Sequence, residues 1–240
     1  YIPVEEVEAA RKELPPEIFK QEFEGIPTDD GASPFGLEAI RKCIKPLSTL
    51  KPVVFGVDLA RSLDYSVVCG VDAYGDVCVL ERWQTPWAET KTKIQAMVGD
   101  LPIVADSTGV GDGIVADLQA MGVDVTPHYF TQQSKLRLMQ RLVAGFQGTT
   151  LGIPDGWLVN ELEAFEFSYT ATGVKYEAPK GYHDDGVMAL ALALYGWDRV
   201  QGAAPEPILL PKSVPDDPNV ALSGPTYAMA GSMNQLPGEW

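Results

Sequence analysis

With 240 residues, 45% of them hydrophobic, the chain can form one sizeable core domain with extensions. Its longest apolar stretch, Val187 to Trp197, is shorter than the roughly 18 residues that cross a bilayer, which excludes a membrane-spanning helix. The formal net charge of −15 speaks against a nucleic-acid partner at first sight.

That charge is unevenly spread. Residues 1–31 hold nine acids and three bases, and residues 201–240 hold four acids and one base, so the segments carry −6 and −3 and leave −6 on the middle. Between Asp124 and Asp155 there is no acid, while His128, Lys135, Arg137 and Arg141 occur there. This stretch is the best place for a phosphate backbone to meet the chain, with a solvated helix face as the plain alternative.

In chain order, residues 1–50 are Glu-rich and broken by Pro15-Pro16 and Pro27. Short helices are expected over Glu5–Leu14 and Phe35–Ile44, the second opened by Ser33-Pro34. This segment has too few apolar residues to fold alone. Val53–Asp58, Tyr65–Ala73 and Asp76–Trp83 read as three strands, the last two joined at Tyr74-Gly75-Asp76. A helix over Glu89–Val98, a strand over Ile103–Asp106, a helix over Gly111–Met121 ended by Gly122, and a strand over Val123–Thr126 follow. Ser134–Phe146 is amphipathic, with Leu136, Met139, Leu142, Val143 and Phe146 on one face. Trp157–Phe165 is expected to be helical. Tyr169–Thr172 and Val174–Ala178 flank Gly173 as a hairpin, and Gly186–Trp197 forms the last helix. Three consecutive strands followed by alternating helix and strand predict an α/β mixed sheet, an antiparallel three-strand meander plus parallel strands, flanked by helices.

The proline-rich residues 201–240 read as a flexible tail. The start at Tyr1 suggests a fragment or a processed product. Cys43, Cys69 and Cys78 lack metal-type spacing and read as structural thiols of a reducing compartment.

Three acidic stretches carry the chemistry: Gly56-Val57-Asp58, Val104-Ala105-Asp106-Ser107-Thr108-Gly109, and His183-Asp184-Asp185-Gly186. Asp58 and Asp106 each close an apolar run, and Asp184 and Asp185 open an apolar helix. Carboxylates at the ends of buried elements are costly unless compensated, and converging acids are usually compensated by a hard divalent cation, Mg2+ or Mn2+. In a parallel sheet, sites form at the carboxyl ends of strands. Asp58, Asp106, Asp184 and Asp185 would suit two ions about 3.5–4 Å apart, the arrangement of two-metal phosphodiester hydrolysis. Taken singly, each acid could equally be a turn or capping residue. His183 and Asp64 are weaker candidates for orienting a ligand. Lys135, Arg137, Arg141 and Lys180 are weaker candidates for DNA contact. Asp112 reads as a helix cap.

The strings Gly-Val-Asp58, Ala-Asp106-Ser-Thr-Gly-Val-Gly-Asp and Tyr-His183-Asp-Asp-Gly-Val-Met-Ala-Leu-Ala-Leu-Ala resemble the nuclease domain of large terminase subunits of tailed bacteriophages. The intervening Ser134-Lys135 and Glu161-Leu162-Glu163-Ala164-Phe165 fit the same order, and Ile18 to Glu24 resemble the segment that leaves the ATPase domain in that family. The resemblance spans roughly residues 15–200. It implies a ribonuclease H-like domain over 51–200, preceded over 1–50 by a linker or the end of an ATPase domain and followed by the tail 201–240. It also implies an endonuclease that cuts double-stranded viral DNA concatemers during packaging, in the cytoplasm of the infected bacterial host. Asp58, Asp106, Asp184 and Asp185 would be its metal ligands. The implied partners are double-stranded DNA, an ATPase domain of the same longer protein, the portal and the small terminase subunit. The Gly-x-x-x-x-Gly-Lys-Ser/Thr loop of a packaging ATPase is absent from the sequence, so the chain is not expected to translocate DNA by itself. Two alternatives share the acids: another ribonuclease H-like nuclease of the Holliday-junction resolvase or transposase type, and an actin-like ATPase fragment.

Overall fold

The computed structural model describes residues 3, 4, 7, 8, 11, 19, 23, 33–59, 65–109, 111–170 and 173–202. Most of the helix expected over Glu5–Leu14, the candidate Asp64 and nearly all of the tail 201–240 lie outside the described residues.

A short helix α1 (Leu37–Lys42) precedes strands β1 (Val54–Asp58), β2 (Ser66–Val71) and β3 (Val77–Trp83). Helix α2 (Trp87–Val98), strand β4 (Ile103–Asp106), helix α3 (Gly111–Ala120) and strand β5 (Val125–His128) follow. Then come helices α4 (Gln132–Gln147) and α5 (Trp157–Ala164), strands β6 (Glu166–Thr170) and β7 (Gly173–Glu177), and helix α6 (Asp185–Val200). The main sheet has the order β3-β2-β1-β4-β5. β1, β2 and β3 pair antiparallel, while β1–β4 and β4–β5 are parallel. β6 and β7 form a separate antiparallel hairpin. The expected mixed sheet, meander first and parallel strands after, is the one observed.

The period-2 alternation of strand side chains sorts the core into two layers. Val54 and Val104 face one layer with α4, α5 and α6, while Phe55, Val57, Ile103 and Ala105 face the other with α2 and α3. Helix α6 crosses β1, β2 and β4 and is continuously buried over its first ten residues, from Asp185 to Leu194. It can lie this close because its sheet-facing residues are small. A Cβ on Gly56 would run into the backbone of Ala189 and Ala193.

Some element ends differ from expectation for local reasons. β5 begins two residues later than Val123, because the end of α3 uses Val123: its N–H donates to Leu118 O at 3.0 Å, with Gly122 in the left-handed region at φ 87. Pro127 is tolerated there because β5 is an edge strand. Helix α4 starts at Gln132 rather than Ser134, since Thr131 and Ser134 form a capping box. Ser134 N–H donates to Thr131 Oγ1 at 3.0 Å and Thr131 N–H to Ser134 Oγ at 2.8 Å. Helix α2 starts at Trp87, because the Pro86 carbonyl already accepts from Glu89 and Thr90. β6 starts three residues earlier than read and β7 one residue earlier, and Phe165 before them is extended. Cys43, Cys69 and Cys78 are buried free thiols, and burial pushes the Cys78 thiol up to about 11, as expected of structural cysteines.

Candidate active site

The strand alternation that buries Val54 and Val104 against α6 also turns Asp58 and Asp106 toward that layer. Each is the last residue of its strand. They stand side by side one step beyond the parallel pair Val57–Ala105. Helix α6 enters the same end of the sheet with Asp184 at its N-cap and Asp185 as its first residue. Two neighbouring strand ends and one helix N-terminus thus bring the four predicted acids to one place.

The electrostatics record that convergence. Asp58 is held well above the ordinary carboxylate range, first by burial and then by the like charges of Asp185, Asp106 and Asp184, with Lys135 opposing them. The residue keeps some exposed surface, but the carboxyl group itself is ringed by protein. Burial also raises Asp106, against the hydrogen bonds of Thr108 and the charges of His128 and Lys135. Its Oδ1 accepts from the Thr108 N–H at 2.8 Å, which fixes the carboxylate in an Asx turn. Asp185 Oδ2 accepts from the Tyr65 N–H at 3.4 Å and lies 3.4 Å from His183 Nδ1. Asp184 pairs with Lys135 at 3.5 Å.

Among the described residues, no three His, Cys, Asp or Glu side chains stand close enough to clasp a cation as placed. The donor set nevertheless suits a hard divalent ion. It consists of carboxylate oxygens only, and burial raises two of the carboxyls, on Asp58 and Asp106, a cost that a bound cation would reverse.

The other predicted residues divide. Lys135 belongs to the site through Asp184, and His183 touches Asp185 while staying 42% exposed on its side chain. Arg137 and Lys180 are exposed. Arg141 is committed elsewhere: Nε and Nη2 form a forked ion pair with Asp198 of α6, at 2.6 and 2.9 Å. It therefore ties α4 to α6 instead of being offered to a phosphate backbone. Asp112 lies in the first turn of α3 and accepts from Ser107 Oγ and Tyr129 Oη, each at 2.7 Å, so it braces the turn after β4.

Two residues of the site were not singled out from the sequence. Glu161 on α5 is buried, and its Oε2 accepts from the Gly186 N–H at 2.8 Å. Burial raises its carboxyl to about 7, offset by the Gly186 bond and by Arg82. Arg82 on β3 pairs with Glu161 at 3.7 Å and lies over the rings of Tyr65 and Trp157, 4.8 and 4.4 Å from their centroids. The usable signal for Glu161 was its spacing of three from Leu158, which puts it on the buried stripe of α5. Arg82 gave none: it shares the α6-facing side of the sheet with its cross-strand partner Val67, but the residues it meets there are far from it in sequence.

No protein-family model matches the chain. The curated large terminase subunit of Thermus phage G20c is 32% identical over 155 residues, 61% of this chain and 32% of that protein. The match thus spans about a third of the length of the curated relative. The crystal structure of the large terminase nuclease from thermophilic phage G20c with bound magnesium is 27% identical, with a TM-score of 0.62, covering 70% of this chain and 98% of that one. The nuclease domain of the large terminase of Thermus phage P74-26 is 26% identical, with a TM-score of 0.59, over 68% of this chain and 95% of that one. In sequence and in architecture, this chain is similar to the nuclease domains of large terminase subunits of thermophilic phages, and its mixed sheet flanked by helices has their ribonuclease H-like fold.

Proposed function

We propose that this domain is a metal-dependent endonuclease that cuts double-stranded viral DNA concatemers during genome packaging, in the cytoplasm of the infected host. The observation that carries the reading is the meeting of Asp58, Asp106, Asp184 and Asp185 at one end of the sheet, close enough that the last three raise Asp58. These four would hold Mg2+ or Mn2+. Two such ions would activate a water and stabilise the leaving 3′ oxygen of the scissile phosphate.

The chain's own groups prepare the site. The Thr108 N–H orients Asp106, the Tyr65 N–H orients Asp185, and the N-terminal end of α6 favours negative charge beside it. Lys135 partly neutralises Asp184 and stands where an incoming phosphate oxygen would compete for it. Arg137, Lys180 and His183 are exposed for backbone contact. Asp64 is kept as a candidate for orienting a ligand. Support for a divalent cation comes from the phage G20c nuclease, whose structures include forms with bound magnesium and bound cobalt.

Residues 1–50 would connect to an ATPase domain of a longer protein, residues 201–240 would form its tail, and the portal and small terminase subunit would be its partners. A large terminase with the same fold, 10% identical, was solved in complex with ATP-gamma-S, and this chain covers 52% of it.

The variant that tests the site is Asp58→Asn, close in shape and unable to carry the charge. Plasmid cleavage in Mn2+ should fall by more than about 100-fold, since removing a ligand exceeds the usual loss on removing a residue that only orients one. Cleavage at the wild-type rate would remove Asp58 from the mechanism.

A further inference from the structure

Arg82 lies on β3, the edge strand farthest from β4 and β5, yet its guanidinium reaches the entry of α6. Its position is built from three sides. The ring of Tyr65 and the ring of Trp157 both lie against it, and its Nη1 is 3.7 Å from Glu161 Oε1. Only 34% of its side chain is exposed, and only 8% of that of Glu161. An arginine laid against two rings holds a fixed plane, which a lysine would not.

Both groups that Arg82 holds act on the turn carrying Asp184 and Asp185. Glu161 accepts from the Gly186 N–H at 2.8 Å, immediately after Asp185. Gly186 has no room for a side chain, since a Cβ there would come within 2.5 Å of Trp157 and 2.7 Å of Glu161 Oε2. Tyr65 donates its N–H to Asp185 Oδ2 at 3.4 Å, and its ring stands edge-on to His183, with centroids 5.4 Å apart. Asp185 is therefore gripped from both sides, by Glu161 through the backbone of the next residue and by Tyr65 through the carboxylate. Arg82 touches both grips. Removing it would leave the Glu161 carboxylate covered and without its guanidinium, and would free the Tyr65 and Trp157 rings to repack.

We propose that Arg82 is a positioning residue: it locks Glu161 and Tyr65 so that Asp185 is held in place for a divalent cation. The inference rests on the assignment of Asp185 as a metal ligand. Arg82 does not itself meet the cation. It acts as residues behind a ligand do, whose loss typically weakens metal binding by about 10- to 100-fold.

The test is calorimetric titration of Mn2+ into the 240-residue chain, with thermal melting in EDTA and the Mn2+ dependence of plasmid cleavage measured alongside. Arg82→Ala should weaken Mn2+ binding about tenfold or more, and excess Mn2+ should restore most of the cleavage rate. Arg82→Lys should recover only part of the affinity, because it keeps the charge but not the fork or the stacking plane. Arg41→Ala, which removes the cation beside Glu163 on the same helix, should leave Mn2+ affinity unchanged. If Arg82→Ala fails to fold, Arg82→Lys and Glu161→Gln carry the comparison: both should melt as folded proteins and bind Mn2+ more weakly. Wild-type affinity in folded Arg82→Ala, or in both substitutes, overturns the role of Arg82 alone. A wild-type chain that neither binds Mn2+ nor cuts overturns the metal site and this inference with it.

Discussion

At the residue scale, the proposed metal-ligand role of Asp58 works against the stability of the metal-free protein. Its carboxyl is raised by burial and by three neighbouring acids, so the folded protein holds that proton to higher pH than the unfolded chain does. For a raised acid, metal-free stability is complete below the ordinary carboxylate range and is lost as pH climbs through the raised value. Asp58→Asn should therefore melt higher than wild type in EDTA at neutral pH, by about 1 kcal/mol, with the gain shrinking as the pH is lowered. Mg2+ should stabilise wild type and leave the variant nearly unchanged. A variant less stable than wild type in EDTA would mean that Asp58 is a structural anchor. The sequence disclosed Asp58, Asp106, Asp184 and Asp185 because an acid at the end of an apolar run violates the local pattern. It could not disclose Arg82 or Tyr65, whose roles depend on the edge strand, the loop before β2 and α5 meeting in space. It could not show that Arg141 pairs with Asp198, because an acid-free stretch says nothing about an acid 57 residues further along the chain.

At the scale of elements, α6 and β1 form the frame that fixes the site. Gly56 lets the helix backbone rest on the strand, and the same contact sets how far the N-terminus of α6 projects toward Asp58. Gly56→Ala places a methyl where the backbone of Ala189 and Ala193 already stands. It should cost about 3 kcal/mol or more, since overpacking typically costs 1–3 and backbone yields less than side chains. Denaturant unfolding measures this, and a loss under about 0.5 kcal/mol, the range of ordinary surface changes, would show that the helix can lift away freely. Among the described residues, strand and helix identities were legible, because the continuous apolar runs of β1, β2 and β4 and the apolar length of α6 are strong signals. Several ends were not. The start of α4 depended on the reciprocal Thr131–Ser134 cap, and the start of β5 on how α3 consumes Val123.

At the scale of the whole molecule, a chain of net charge −15 must still approach a polyanion if it cuts DNA. The acid-free stretch supplies a face, but a narrower one than its sequence suggests. Lys135 is engaged by Asp184, Arg137 is exposed, and Arg141 is spent on Asp198. Replacing Lys135 and Arg137 together by Ala should weaken DNA binding and flatten its dependence on log salt by about 2, as expected for two lost phosphate contacts. Unchanged affinity and slope would make this face a bystander. The mixed-sheet topology was legible from element order alone. The separate β6–β7 sheet was not, because a hairpin signal does not say which sheet, if any, the hairpin joins.

The proposed metal-dependent nuclease activity rests on four converging acids. The most direct measurement is cleavage of supercoiled plasmid by the purified 240-residue chain in Mg2+, Mn2+ or EDTA, with ATP hydrolysis followed in parallel. Nicking and linearisation in either metal, abolished by EDTA and without ATP turnover, is the predicted result. ATP turnover without cutting would contradict it and would assign Asp58 and Asp106 to nucleotide binding instead.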